Sequence, residues 1–149
     1  MRFAARVRSR HPVSAVLLAA VLIGTAGCKK APTGPDVTLT VNDLTVGTGA
    51  TVVTGSLVTL TYSAWLFDAS KLDDKGVLVQ TTDGASPFTQ RVGIGAMIAG
   101  FDLGLPGMKV GGVRRLIVPP ELAYGAVGSP PLIPPNATLV FDITLLNAQ

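Results

Sequence analysis

Between residues 37 and 146 apolar and polar side chains alternate in short runs broken by glycine, the pattern of β-strands with one buried face. Residues 37–41 give the first run, and 43–46 can continue it. Gly47 and Gly49 turn the chain, residues 50–53 read as a short strand, and Gly55 turns it again. The clearest strand is 57–66: Leu57, Thr59, Thr61, Ser63 and Trp65 share one face, and Val58, Leu60, Tyr62, Ala64 and Leu66 the other. Residues 67–76 read as a loop carrying Asp68, Asp73 and Asp74. Short strands follow at 77–82 and 88–92, on either side of Asp83-Gly84. Runs at 113–118 and 138–146 complete the set. Between those two runs lies a loop of little polarity, AYGAVGSPPLIPPN.

One apolar stretch does not fit the strand period. Met97, Ile98, Phe101, Leu103 and Leu105 stand among glycines and before Pro106. It is too short, and too rich in glycine, to be a stable helix alone. It must be held by packing, either as a buried plug on a sheet or as the floor of an apolar pocket with Met97, Ile98, Phe101 and Tyr124. Five or so short strands with one short helix predict an α+β fold, an antiparallel sheet with the helix on one face.

Length and charge narrow the picture. At 149 residues the chain fits one domain and one additional segment. The formal charge of +3 is concentrated at the start, where Arg2, Arg6, Arg8 and Arg10 lie. After Gly27 eight basic residues face nine acidic ones, with no cluster suited to tracking phosphates, so nucleic acid is not an expected partner.

The basic start leads into an apolar run at 13–23, shorter than the roughly 20 residues that span a bilayer. Small residues 24–27 follow, then Cys28, the only cysteine. This is secretory-signal architecture. It resembles a bacterial lipoprotein signal, in which Cys28 carries the lipid and becomes the first residue of the mature chain; Thr25 stands where that pattern usually has Leu. The alternative is a plain secretory signal with an incidental cysteine. By the same resemblance, Lys29 after the cysteine, rather than Asp, points to the outer membrane, facing the periplasm. The expected organisation is a signal over 1–27, a flexible tether over 28–36 and a folded domain over 37–149.

The chemistry is mostly one of absences. The only histidine, His11, lies in the signal, so a mature chain lacks Cys–His and Ser–His nucleophile systems and His or Cys metal sites. Asp68, Asp73 and Asp74 lack calcium-loop spacing. Gly93-x-Gly95 has no lysine behind it and follows no dinucleotide-binding pattern. No cofactor and no metal are therefore expected. The glycosylation sequon at Asn136 and the PxxP at 131–134 read as chance and as a stiffened loop.

What remains is a set of aromatic and branched residues in several ordered motifs. Gly-x-Met-Ile-x-Gly-Phe at 95–101, Met-Lys-Val-Gly-Gly at 108–112, Arg-Arg-Leu-Ile-Val-Pro at 114–119, Glu-Leu-Ala-Tyr-Gly at 121–125 and Ile-Pro-Pro-Asn-Ala-Thr-Leu-Val-Phe-Asp at 133–142 succeed one another. Together they resemble the FKBP family of peptidyl-prolyl cis–trans isomerases, over about residues 43–146. The resemblance implies an antiparallel half-barrel of strands wrapped around one short helix at 98–105. It implies catalytic roles for Tyr62, Phe101, Tyr124 and the Ile98 N–H. Val79, Gln80, Phe88, Met97, Ile133 and Phe141 would bind substrate, with Leu132 at the rim. Phe101 stands where many members have Trp, and Val79-Gln80 where a Phe-Asp pair is common. The implied substrates are proline-containing polypeptides and the implied inhibitors macrolides such as tacrolimus and rapamycin. Lipid on Cys28 would join the domain to a membrane. The same pocket could instead serve a chaperone or scaffold that binds proline segments with little turnover.

Overall fold

A computed structural model of the chain describes residues 38–149. The expected signal and the Cys28 tether lie outside the described residues. Six strands form one open antiparallel sheet: β1 (Thr40–Thr45), β2 (Leu57–Phe67), β3 (Lys75–Thr81), β4 (Phe88–Arg91), β5 (Val113–Val118) and β6 (Leu139–Ala148). Their order is β1-β5-β6-β2-β3, and β4 pairs with the first half of β2. A single α-helix, α1 (Ala99–Gly104), lies between β4 and β5. This is the α+β arrangement that the pattern of runs predicts.

The alternation in β2 does what its spacing requires: Val58, Leu60 and Ala64 are buried in the core, with Leu116, Leu139, Phe141, Ile143 and Leu145 from β5 and β6. Several boundaries differ from the sequence reading. β1 begins at Thr40, and because it is an edge strand bonded only to β5, Val41 and Leu44 remain exposed. Residues 50–53 do not form a regular strand. Val52 and Ala50 exchange main-chain hydrogen bonds with residues 107–110, and only Thr51 forms a bridge, to Lys109. That partner segment contains Gly107 at φ 82°, which prevents a continuous ladder. β3 takes in Lys75 and Gly76, because Phe67 pairs with Lys75 and closes the aspartate-bearing loop into a hairpin. A 3-10 turn at Pro120–Leu122 follows β5, where Pro119-Pro120 end the strand.

The helix is six residues long and contains two glycines, each worth about 1 kcal/mol less than alanine in a helix interior. They are there for contact. A Cβ on Gly100 would lie 2.4 Å from Val118 Cγ1, and one on Gly104 would lie 2.7 Å from Leu116 Cδ1. The helix backbone therefore rests directly on β5. Its open C-terminal end is closed from the sheet by Arg114, whose Nη1 donates to the carbonyls of Gly104 (2.7 Å) and Pro106 (3.1 Å). The same guanidinium forms a two-point pair with Asp43 on β1, at 2.6 and 3.0 Å, so the buried charge is neutralised as well as bonded. A second cluster joins four strands: Asp142 on β6 accepts from Arg115 on β5 at 2.7 and 2.9 Å and from Lys75 on β3 at 2.6 Å, and Lys75 Nζ sits 4.1 Å from the centre of the Trp65 ring on β2.

Both carboxylates titrate below their ordinary value. For Asp43 the hydrogen bond from Arg114 is the main cause. For Asp142 burial is the largest influence and pushes upward, but the bonds and charges of Arg115 and Lys75 together outweigh it. A carboxyl whose folded pKa lies below its unfolded pKa contributes stability above the unfolded value of 3.8, and that contribution is lost as pH falls through the folded value. Urea unfolding midpoints should therefore be level from neutrality to about pH 5 and then decline on further acidification. Asp43→Asn should lower stability at pH 7 by about 1 kcal/mol, since this carboxylate is partly exposed, and should flatten the acid decline. An unchanged acid limb in Asp43→Asn would show that this pair does not set it.

Candidate active site

The site arises where the sheet departs from regularity. β2 pairs with β4 as far as Leu60↔Phe88, and with β3 from Ser63↔Thr81. Tyr62 falls in the gap between the two partners. Its N–H donates to Thr82 Oγ1 at 2.8 Å, and its carbonyl accepts from the Thr82 N–H at 2.9 Å, so no main-chain group is left unpaired while the ring turns inward. Three more rings meet it. Phe101, from α1, stands edge-on at 5.7 Å and 87°; Phe88, from β4, at 6.0 Å and 85°; and Phe141, from β6, lies 6.0 Å away and 4.9 Å from Phe101. Such edge-to-face pairs add roughly 0.5–1.5 kcal/mol each beyond the area they bury.

These four rings, with Gln80, Ala96, Met97, Ile98 and Tyr124, line a cavity of about 270 Å³. No carboxylate, amine or imidazole lines it. Ile98 is the residue before the helix, with φ −60° and ψ 145°, and its carbonyl accepts the Phe101 N–H at 2.9 Å. The Ile98 N–H itself has no acceptor on the protein among the described residues, as expected for a group at a helix start. Tyr124 follows the 3-10 turn, where Gly125 at φ 58° bends the chain and donates to the Pro120 carbonyl. The Tyr62 hydroxyl titrates above its ordinary value: burial is the main cause, the neighbouring Tyr124 adds to it, and a hydrogen bond with the Gln80 amide acts the other way.

Gln80 reaches the cavity through a bulge. Ala64 and Trp65, adjacent on β2, face Gln80 and Leu78, so Val79 is the extra residue. Val79 is buried, and Gln80 next to it is exposed at the mouth. Val79 and Ile133, expected among the pocket walls, instead line an adjoining cavity of about 260 Å³, with Leu132, Ser129, Pro130 and Pro131; Gln80 and Tyr124 belong to both. Leu132 is exposed, at the rim. A bridge between Ser129 and Ile133 closes the loop that carries these residues. Ala96 was absent from the expected set; its place directly before Met97 was the available signal. Cys28 lies outside the described residues, and among the described residues no group of three His, Cys, Asp or Glu is placed to hold a metal ion.

Comparison with known proteins gives a consistent result. The family profile described as FKBP-type peptidyl-prolyl cis-trans isomerase matches residues 49–146. The chain is 41% identical over 108 residues to an FK506-binding protein of Neisseria meningitidis serogroup B, covering 72% of this chain and 94% of that one. It is 44% identical over 123 residues to FK506-binding protein 4 of Dictyostelium discoideum, covering 80% of this chain but only 32% of that longer protein. Two other long relatives are likewise spanned over 26% and 21% of their length. Among solved structures, AtFKBP13 superposes with a TM-score of 0.63 at 34% identity, over 74% of this chain and 93% of that one. An aromatic pocket at a sheet irregularity, the helix beneath it and a family match across nearly two thirds of the sequence point the same way: this chain belongs to the FKBP-type peptidyl-prolyl cis-trans isomerase family.

Proposed function

We propose that the chain catalyses cis–trans isomerisation of Xaa-Pro bonds in polypeptides of a bacterial cell envelope, where lipid on Cys28 holds it to the outer membrane, facing the periplasm. The observation that carries the catalytic part is a pocket of four packed rings with no acid or base among its lining residues and with the Ile98 N–H, which has no acceptor among the described residues, at its floor. The anchoring part rests on the basic start, the apolar run and the small residues before Cys28, followed by Lys29.

Rotation about a prolyl amide is opposed by a barrier of about 18–20 kcal/mol, because resonance stiffens the C–N bond. Twisting the bond withdraws charge from the carbonyl oxygen and leaves a less polar group. A dry aromatic cavity therefore disfavours the planar amide more than the twisted one, which is the differential binding that lowers a barrier. Each tenfold gain in rate needs about 1.4 kcal/mol of that difference. The proline ring would rest on Phe101, among Tyr62, Phe88, Met97 and Phe141. The Ile98 N–H and the Tyr124 hydroxyl would hold the carbonyls on either side of it. Gln80 would meet the peptide at the mouth as a neutral amide, and Val79, Leu132 and Ile133 would take the flanking residue. Tacrolimus and rapamycin would occupy the same cavity as inhibitors.

A protease-coupled assay on a proline tetrapeptide should detect turnover, and either macrolide should abolish it; tight binding without turnover would favour the chaperone or scaffold reading. Phe101→Ala should remove most activity and, as loss of a buried aromatic, lower stability by about 3–5 kcal/mol. A folded Phe101→Ala protein with full activity would contradict the pocket assignment.

With no titrating group near neutrality in the lining, and with the Tyr62 phenol pushed above its usual value, kcat/KM for an uncharged peptide should stay level from about pH 5.5 to 8.5. A step in that interval, in protein shown to be folded by circular dichroism, would mean that an ionising group takes part. For the anchor, the full-length chain expressed in a Gram-negative host should partition into detergent, and Cys28→Ser should release it or arrest its processing. Equal partitioning of both proteins, with the same cleaved N-terminus, would defeat lipidation.

A further inference from the structure

The pocket wall formed by Ala96 and Met97 belongs to a segment that packs on the core through Met97 but has few main-chain ties. Residues 93–97 lie outside every strand and helix, and among the described residues none of them exchanges a hydrogen bond with another main-chain group. Gly93 (φ 81°) and Gly95 (φ 73°) coil the segment, while the side chain of Ile94 between them points into solvent. A glycine-rich turn of this kind has a large conformational freedom to lose. Among the described residues its one side-chain hydrogen-bond partner is Asp102. One carboxylate oxygen accepts the Gly93 N–H at 2.7 Å and the other accepts the Gly95 N–H at 3.0 Å.

Asp102 is not serving its own helix in doing so. No side chain caps the first turn of α1, although an acidic residue stands there. The carboxylate is turned back over the preceding turn instead, in two charge-assisted bonds to one short stretch. Asp102 follows Phe101 directly, so a single helical turn carries the ring on the cavity floor and the group that fixes the neighbouring wall. We propose that Asp102 is a positioning residue for the prolyl pocket: by clamping Gly93 and Gly95 it holds Met97 and the Ile98 N–H in register with Phe101. The proposal rests on the isomerase reading of this cavity, and it assigns Asp102 no contact with substrate and no proton transfer.

Asn at this position keeps one acceptor oxygen and presents an NH₂ to the second N–H, so one of the two bonds is lost with almost no change of volume. The experiment compares Asp102→Asn and Asp102→Glu with Asp142→Asn, which weakens an ion cluster on other strands, and expresses all rates per folded molecule. Misplacement of groups around a reacting bond can reduce rate by up to about a hundredfold. Asp102→Asn should lower kcat/KM by about tenfold, chiefly through KM, and should speed hydrogen exchange at Gly93 and Gly95 and broaden the Ile98 amide resonance. Asp102→Glu, which retains both acceptor oxygens, should recover part of each effect. Asp142→Asn should lower the melting temperature and leave all three readouts at wild-type values. If Asp102→Asn slows turnover no more than Asp142→Asn does, or if the Gly93 and Gly95 amides exchange as in the wild type, the proposal fails. Exchange at those amides reports the clamp without any substrate, so its result stands even if the wild-type protein shows no isomerase activity.

Discussion

A six-residue helix with two glycines cannot stand in water, and the site depends on how this one is made to stand. The glycines that weaken it are what allow its backbone to touch Val118 and Leu116 on β5. Contact at that distance removes the room in which a helix could tilt, so packing replaces propensity as the source of order. Arg114 then closes the C-terminal end from the sheet and spans to Asp43 on the edge strand, while Asp102 reaches the turn that precedes the helix. Phe101 sits between these two ties. The aromatic floor is thus as well placed as the sheet beneath it.

The rest of the cavity comes from two irregularities in otherwise ordinary pairing. β2 changes partner around Tyr62, which alternation already places on the inward face with Leu60 and Ala64, and Thr82 pairs the main chain in the gap. The bulge at Val79 sends one residue into the core and its neighbour to the mouth, which strict alternation forbids. Two adjoining cavities result, sharing Gln80 and Tyr124. Pairing irregularities next to a site are a usual means of aiming side chains, and here they do so with neutral groups alone.

Much of this was legible in the sequence because the relevant signals are local. The alternation in β2, the Pro119-Pro120 stop after β5 and the apolar cluster around Phe101 each depend on neighbours a few residues apart. The motifs from Gly95 to Asp142 carried the family resemblance and, with it, the pocket residues. What was not legible depends on contacts distant in the chain. The pairing of Arg114 with Asp43 joins residues 71 positions apart, and nothing in either neighbourhood announces it. The ladder at residues 50–53 is irregular because of a partner more than fifty residues away. The bulge that moves Val79 out of the aromatic cavity depends on register against β2, which a single strand cannot specify. Nothing in the sequence marks out Asp102, because its role depends on how the turn behind it coils to present the Gly93 and Gly95 N–H groups.

Catalysis by an apolar enclosure that favours a twisted amide over a planar one, as proposed for this pocket, needs no proton in flight. The most direct measurement is the rate of enzyme-catalysed exchange between the cis and trans forms of an uncharged proline peptide, read by NMR in H₂O and in D₂O at matched pH and pD. With no proton in flight, the rates should be equal in the two solvents. Exchange that is clearly slower in D₂O, with the protein equally stable in both, would show that a proton moves in the rate-limiting step and would rule out catalysis by twisting alone.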